Sequence, residues 1–104
     1  MTPDRLADAI ADEIRGHPAV VRLDAGRHGT LVTPLKGRRV VGVRVLGPGE
    51  PVDIGVVLRM PGPFPEVAAD LRVRVRRVAG DVPVNITVTD AVDPAPVGAG
   101  DQES

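Results

Sequence analysis

The stretch from Val52 to Met60, closed by Pro61-Gly62-Pro63-Phe64-Pro65, limits what this chain can fold into more than any other segment. Side chains alternate in an extended backbone. Val52, Ile54, Val56, Leu58 and Met60 therefore share one side, and Asp53, Gly55, Val57 and Arg59 the other. Proline has no N–H to give a sheet ladder, so the strand must stop at Pro61. The pattern predicts a central strand whose apolar side is covered by the helix that follows it.

A chain of 104 residues forms one domain and buries about 65% of its unfolded surface. Phe64 is the single aromatic residue, so the core must be built from Val, Leu, Ile and Ala. A net charge of -1 gives no global pull towards nucleic acid or an acidic membrane. Without cysteine there are no disulfides and no thiolate chemistry. No apolar run reaches the roughly 18 residues of a membrane span, and the first residues lack a signal-peptide core. A cytoplasmic location is the expectation. Arginine outnumbers lysine twelve to one beside abundant Ala, Val, Gly and Pro, the mark of a GC-rich coding bias, so arginine count alone carries no argument.

Taken in order, Thr2 suits an N-cap, with Pro3 and Asp4 in the first turn. Leu6, Ile10 and Ile14, flanked by Ala7 and Ala11, give one apolar face, and Gly16 offers a left-handed cap before Pro18, so a helix is predicted over 3–15. Strands are predicted over 19–24, with Ala19, Val21 and Leu23 on one side, over 30–35, and over 40–46, with Val41, Val43 and Val45 together. With the central strand they suggest an antiparallel meander. The segment 66–78 is ambiguous. Leu71 to Arg76 alternates like a strand, whereas Val67, Leu71, Val75 and Val78 share a helical face. Pro65 and Glu66 at the start, an Asp70–Arg74 pair and Gly80 at the end favour helix, with Val73 on the exposed side. Val84, Ile86 and Val88 make a last strand near 82–89, and residues 93–104 form a disordered tail. The fold class is α+β, a two-layer sandwich in the order α-β-β-β-β-α-β. Both helices lie on one face of an antiparallel or mixed sheet spanning 1–92.

Few parts for catalysis are present. The single serine is Ser104, and Cys and Tyr are absent, which removes the usual nucleophiles from the ordered framework. His17 and His28 read as solvated loop residues, without the partners of a zinc site. Asp4, Asp8 and Asp12 ladder along the outer side of the first helix and read as solvated. No catalytic, metal or cofactor-binding residue is expected. Gly26-Arg27-His28-Gly29 spells GxxG, the phosphate clamp of KH domains, but its flanks read as strands and a hairpin turn accounts for it. Two arginine groups remain as candidate partner surfaces. One is Arg72, Arg76 and Arg77 around Val73 on the outer side of the second helix. The other is Arg22, Arg44 and Arg59 on the sheet face away from the helices, near Asp24 and Asp53.

Leu6–Ile14, then Pro18-Ala19-Val20-Val21-Arg22-Leu23, Lys36-Gly37-Arg38-Arg39 leading into Val40–Val45, Phe64–Ala68 and Val84–Val88 together resemble the bacterial alkaline shock protein family, the envelope stress response proteins, in a short single-domain form. The family pattern has proline where Lys36 stands. The resemblance covers about residues 3–92 and implies a cytoplasmic, non-enzymatic protein. It further implies association with the cell envelope through a protein partner, one anchored in the inner membrane, and leaves homo-oligomerisation open. A KH-like nucleic-acid-binding module and an enzyme using Asp24 and Asp53 are the alternatives from other classes.

Overall fold

The structure, a computed structural model, describes residues 3–93. Its elements are α1 (Pro3–Arg15), β1 (Val20–Leu23), β2 (Val32–Leu35), β3 (Arg38–Val41), β4 (Val43–Val45), β5 (Val52–Arg59), α2 (Phe64–Ala79) and β6 (Val84–Val92). The expected Thr2 cap and the tail from residue 94 onward lie outside the described residues. The α+β order holds, with the expected third strand divided in two.

β5 is the strand that the alternation marks. β4 pairs antiparallel with its first half, Val43 against Ile54, and β1 with its second half, Leu23 against Val56. β6 runs parallel along the whole length, from Val52–Val84 to Arg59–Val92. β1 and β4 therefore share one edge of β5, and β6 has the other. Val52, Ile54, Val56 and Leu58 pack in one cluster with Leu6, Ile10 and Ile14 of α1 and Leu71 and Val75 of α2, so both helices cover the same face. In the ambiguous segment the helical face prevails. Leu71 and Val75 are wholly buried, Val67 and Val78 partly so, and Val73 is 52% exposed. Leucine and the branched valines gain more from this shared core than a strand of alternating arginines could.

Pairing departs from a meander. β2 and β3 form a separate hairpin, Val32 against Val41 and Leu35 against Arg38, while β1 skips its sequence neighbour and pairs with β5. Gly42, at φ 86°, breaks the expected strand over 40–46, and the face changes there. Val40, Val43 and Val45 are buried, and Val41 is exposed instead of sharing their side. A register slip between Val20 and Arg22 likewise buries Val20 with Leu23, leaving Val21 half-buried. The last strand extends to Val92 because its parallel partner does, with a slip opposite Val56 and Val57.

Two glycines make the crossing at the centre of β5 feasible. Asp24 N–H donates to Gly55 O and Gly55 N–H to Gly42 O, both at 2.9 Å. A Cβ at Gly42 would lie 2.5 Å from Leu23 Cβ and 2.8 Å from Asp24 N. At Gly55 a Cβ would meet the Asp24 carbonyl oxygen and lie 2.8 Å from Leu31 Cδ1. Thr33 closes the outer side of β4. Its buried hydroxyl donates to Val43 O at 2.5 Å and accepts from Val45 N–H at 3.1 Å, taking the place of a strand partner.

Gly42→Ala should destabilise the domain by about 2–4 kcal/mol, combining left-handed strain with overpacking, as read by urea denaturation. Thr33→Val, which keeps the shape but leaves the Val43 carbonyl and Val45 N–H unsatisfied, should cost about 2–3 kcal/mol in the same assay.

Candidate functional site

The surface shared by α1 and α2 is built from the residues that end α1. Gly16 is not left-handed as the sequence suggests. Its missing side chain instead leaves room for Arg74, whose Nη1 would be 3.3 Å from a Cβ there. Arg74 donates to Glu13 O at 3.3 Å and so satisfies a terminal carbonyl of α1. His17 accepts the Ala19 N–H on Nδ1 at 3.0 Å, which leaves the ring proton on Nε2 and directs it to Asp70 Oδ2 at 3.4 Å. With 11% of its side chain exposed, His17 is a structural part of the α1–β1 turn and not a solvated loop residue; His28 is exposed as expected. Asp70 is thereby engaged across the helix pair, and the expected Asp70–Arg74 pair within α2 does not form.

His17, Asp70, Val73, Arg74 and Arg77 line a depression of about 200 Å³ between the helices. Val73 supplies an exposed apolar wall, and Arg77 has no hydrogen bond or ion pair to another described residue. The arginines expected beside Val73 do not form one patch. Arg72 Nε donates to Val84 O and Arg76 Nε to Val82 O, both at 3.1 Å, drawing these two to the opposite flank of α2 and tying the helix to β6. Val73 and Arg77 stay with the depression. Sequence reasoning missed His17, Asp70 and Arg74 as its walls. The lone valine among charges was the readable signal, whereas the α1 contribution depends on how the helices cross.

The second arginine group is dispersed. Arg22, Arg44 and Arg59 are all exposed, and Arg44 lies opposite Asp53 in the β4–β5 ladder. Arg59 Nε donates to Pro18 O at 3.0 Å. Asp53 accepts from Asn85 Nδ2 at 2.9 Å and Asp24 from Gly26 N–H at 3.0 Å, so neither is a spare carboxylate. The sheet face is not open either, because Leu31 lies over Gly55. The GxxG turn closes through Gly29 N–H to Gly26 O at 3.1 Å between β1 and β2, without the flanking helices of a KH clamp. With Leu31, Thr87 and Thr89 it borders a second depression of about 380 Å³. Among the described residues no three His, Cys, Asp or Glu side chains gather as for a metal ion, and no helix is long and apolar enough to cross a membrane.

One acidic residue of the α1 ladder is not merely solvated. Asp8 takes a two-pronged bond from Arg38, Oδ1 from Nη1 at 3.1 Å and Oδ2 from Nη2 at 2.6 Å, which ties the β2–β3 hairpin to α1. This bond holds the Asp8 carboxyl below its ordinary value of 3.8 and keeps Arg38 charged to higher pH. Compared with protein-family models, curated proteins and solved structures, the chain matches none significantly.

Because the folded-state value of Asp8 is lowered, its contribution to stability is present above the unfolded value and is lost as pH falls through the lowered one. Asp8→Asn should therefore have a lower urea midpoint than wild type at pH 7 and a shallower decline below about pH 4, the two curves converging in acid.

Proposed function

We propose that this domain is a non-enzymatic protein-interaction module that docks its partner on the seam between α1 and α2. The carrying observation is Val73, 52% exposed, beside Arg77, which has no partner among the described residues, on the rim of the His17–Asp70–Arg74 depression. A valine on the wet side of a helix adds nothing to the core. A guanidinium beside it sheds water readily and makes planar, directional bonds. The complementary partner is a protein segment that sets a small apolar side chain on Val73 and a carboxylate on Arg77. The resemblance to alkaline shock proteins supports placing such a partner at the cell envelope, with this domain on the cytoplasmic side and held to the membrane only through it.

Two folded double variants test the site: Val73→Asp with Arg77→Glu, and Arg44→Glu with Arg59→Glu, each checked by circular dichroism. The protein that the wild-type domain retains from native extract is identified, purified and titrated against all three. The seam variant should weaken Kd by roughly tenfold or more, and the sheet variant by less than about twofold. The reverse order would move the site to the sheet face. Unchanged affinity in both would remove both surfaces from consideration.

A further inference from the structure

We propose that β6 is the self-association edge of this domain, pairing antiparallel with β6 of a second copy across a two-fold axis. The β4 part of one edge of the main sheet and the β6 edge are treated differently. At β4 the outer backbone groups are satisfied by Thr33 and covered by the β2–β3 hairpin. β6 pairs only with β5 among the described residues. Val52 N–H reaches Pro83 O, and Arg72 takes Val84 O from the other side. By alternation, Ile86 and Val88 then direct their N–H and C=O groups away from β5. Arg72 and Arg76 cover the carbonyls of Val84, at the start of the strand, and Val82, just before it. Beyond them, from Asn85 to Val92, no proline, lysine or arginine blunts the edge.

The occupant follows from what lies above and along this edge. Ile86 and Val88 finish the core on this side but are only partly covered, and one turn before Arg72 α2 carries the small Ala68. A second layer can thus approach closely and complete their burial. Charge selects the direction. Arg72 and Arg76 outnumber exposed Asp81 at the first end of β6. Exposed Asp90 stands at the other, one of its oxygens taking the Ala91 N–H at 2.8 Å, where Arg59 is drawn away to Pro18 O on the β1 side. An antiparallel two-fold pairing about Ile86–Val88 sets the basic end of each copy against the acidic end of the other, twice. A parallel arrangement would set like against like.

The test uses the full chain at increasing concentration, with mass read by sedimentation equilibrium and amide exchange read residue by residue. A dimer is expected in which Ile86 and Val88 amides gain protection as concentration rises. Asp90→Arg should weaken dimerisation by roughly tenfold or more, and adding Arg76→Asp to it, with an unchanged fold verified by circular dichroism because Arg76 also holds Val82 O, should restore most of the loss. A monomer at all concentrations overturns the proposal. So does a dimer whose new protection falls on other elements. Protection of Ile86 and Val88 that is independent of concentration also overturns it, since the edge would then be covered from within the chain. Failure of the charge swap to restore the dimer removes the antiparallel two-fold arrangement.

Discussion

The rest of the fold depends on a crossing of three backbones at Gly55. There the edge of β5 changes partner, from β4 on its first half to β1 on its second, and the exchange occurs within one residue. Gly55 N–H is spent on Gly42 and its carbonyl on Asp24. The chain that leaves β1 and the chain that enters β4 must both come against β5 at the same level, which only residues without side chains permit. Once this crossing is made, β2 and β3 have no place in the main ladder. They fold out as a hairpin, held to β4 by the Thr33 hydroxyl and to α1 by the Arg38–Asp8 bond. Val52, Ile54, Val56 and Leu58 are then fixed beneath the two helices.

Arginine has a different place in this structure from the one its abundance suggests. Arg59, Arg72, Arg74 and Arg76 each donate to a backbone carbonyl at a helix end, a turn or a strand edge. With one lysine, one aromatic residue and an aliphatic core, the chain has few other long side chains able to reach such carbonyls. The guanidinium suits this use. Its Nε–H points sideways from the stem, it is permanently charged, and it can satisfy an acceptor while its outer nitrogens stay in water. Arginines that close the fold in this way are not a measure of ligand affinity, and those left over carry more meaning.

What could be read from sequence follows the same division. α1, α2 and β5 were legible because each writes its burial pattern into one continuous run, as Leu6–Ile10–Ile14 and Val52–Ile54–Val56–Leu58 do. The register of β1, the break at Gly42 and the skipped pairing of β1 were not. A period of two reports which residues alternate and says nothing about which strand lies alongside, and one slip exchanges the faces. Position also decided the polar residues. Nothing local distinguishes Asp8 from Asp4 or Asp12, yet only Asp8 comes under Arg38. His17 was misread for the same reason: a histidine after a helix end is commonly wet, and here the turn to β1 folds over it. At the candidate site, Val73 and Arg77 were found from spacing, whereas Arg72 and Arg76 turned to β6, a strand whose parallel placement is not encoded in α2.

The two flanks of α2 are therefore unequal, and the inequality bears on where a partner docks. Towards β6 the helix is fixed by two bonds at 3.1 Å, one to the carbonyl of Val84 at the start of the strand and one to that of Val82 just before it. Towards α1 its polar contacts are longer, 3.3 Å from Arg74 to Glu13 O and 3.4 Å from His17 to an Asp70 that is 69% exposed. An incoming carboxylate or hydroxyl at the seam can replace Asp70 on His17 at little cost, since Asp70 already faces water on its other side. On the β6 flank the same intrusion would leave a strand carbonyl without its donor, unless the intruder brings backbone N–H groups of its own. The seam thus suits side-chain recognition and the strand edge suits backbone pairing, so one helix separates two surfaces that select for different chemistry.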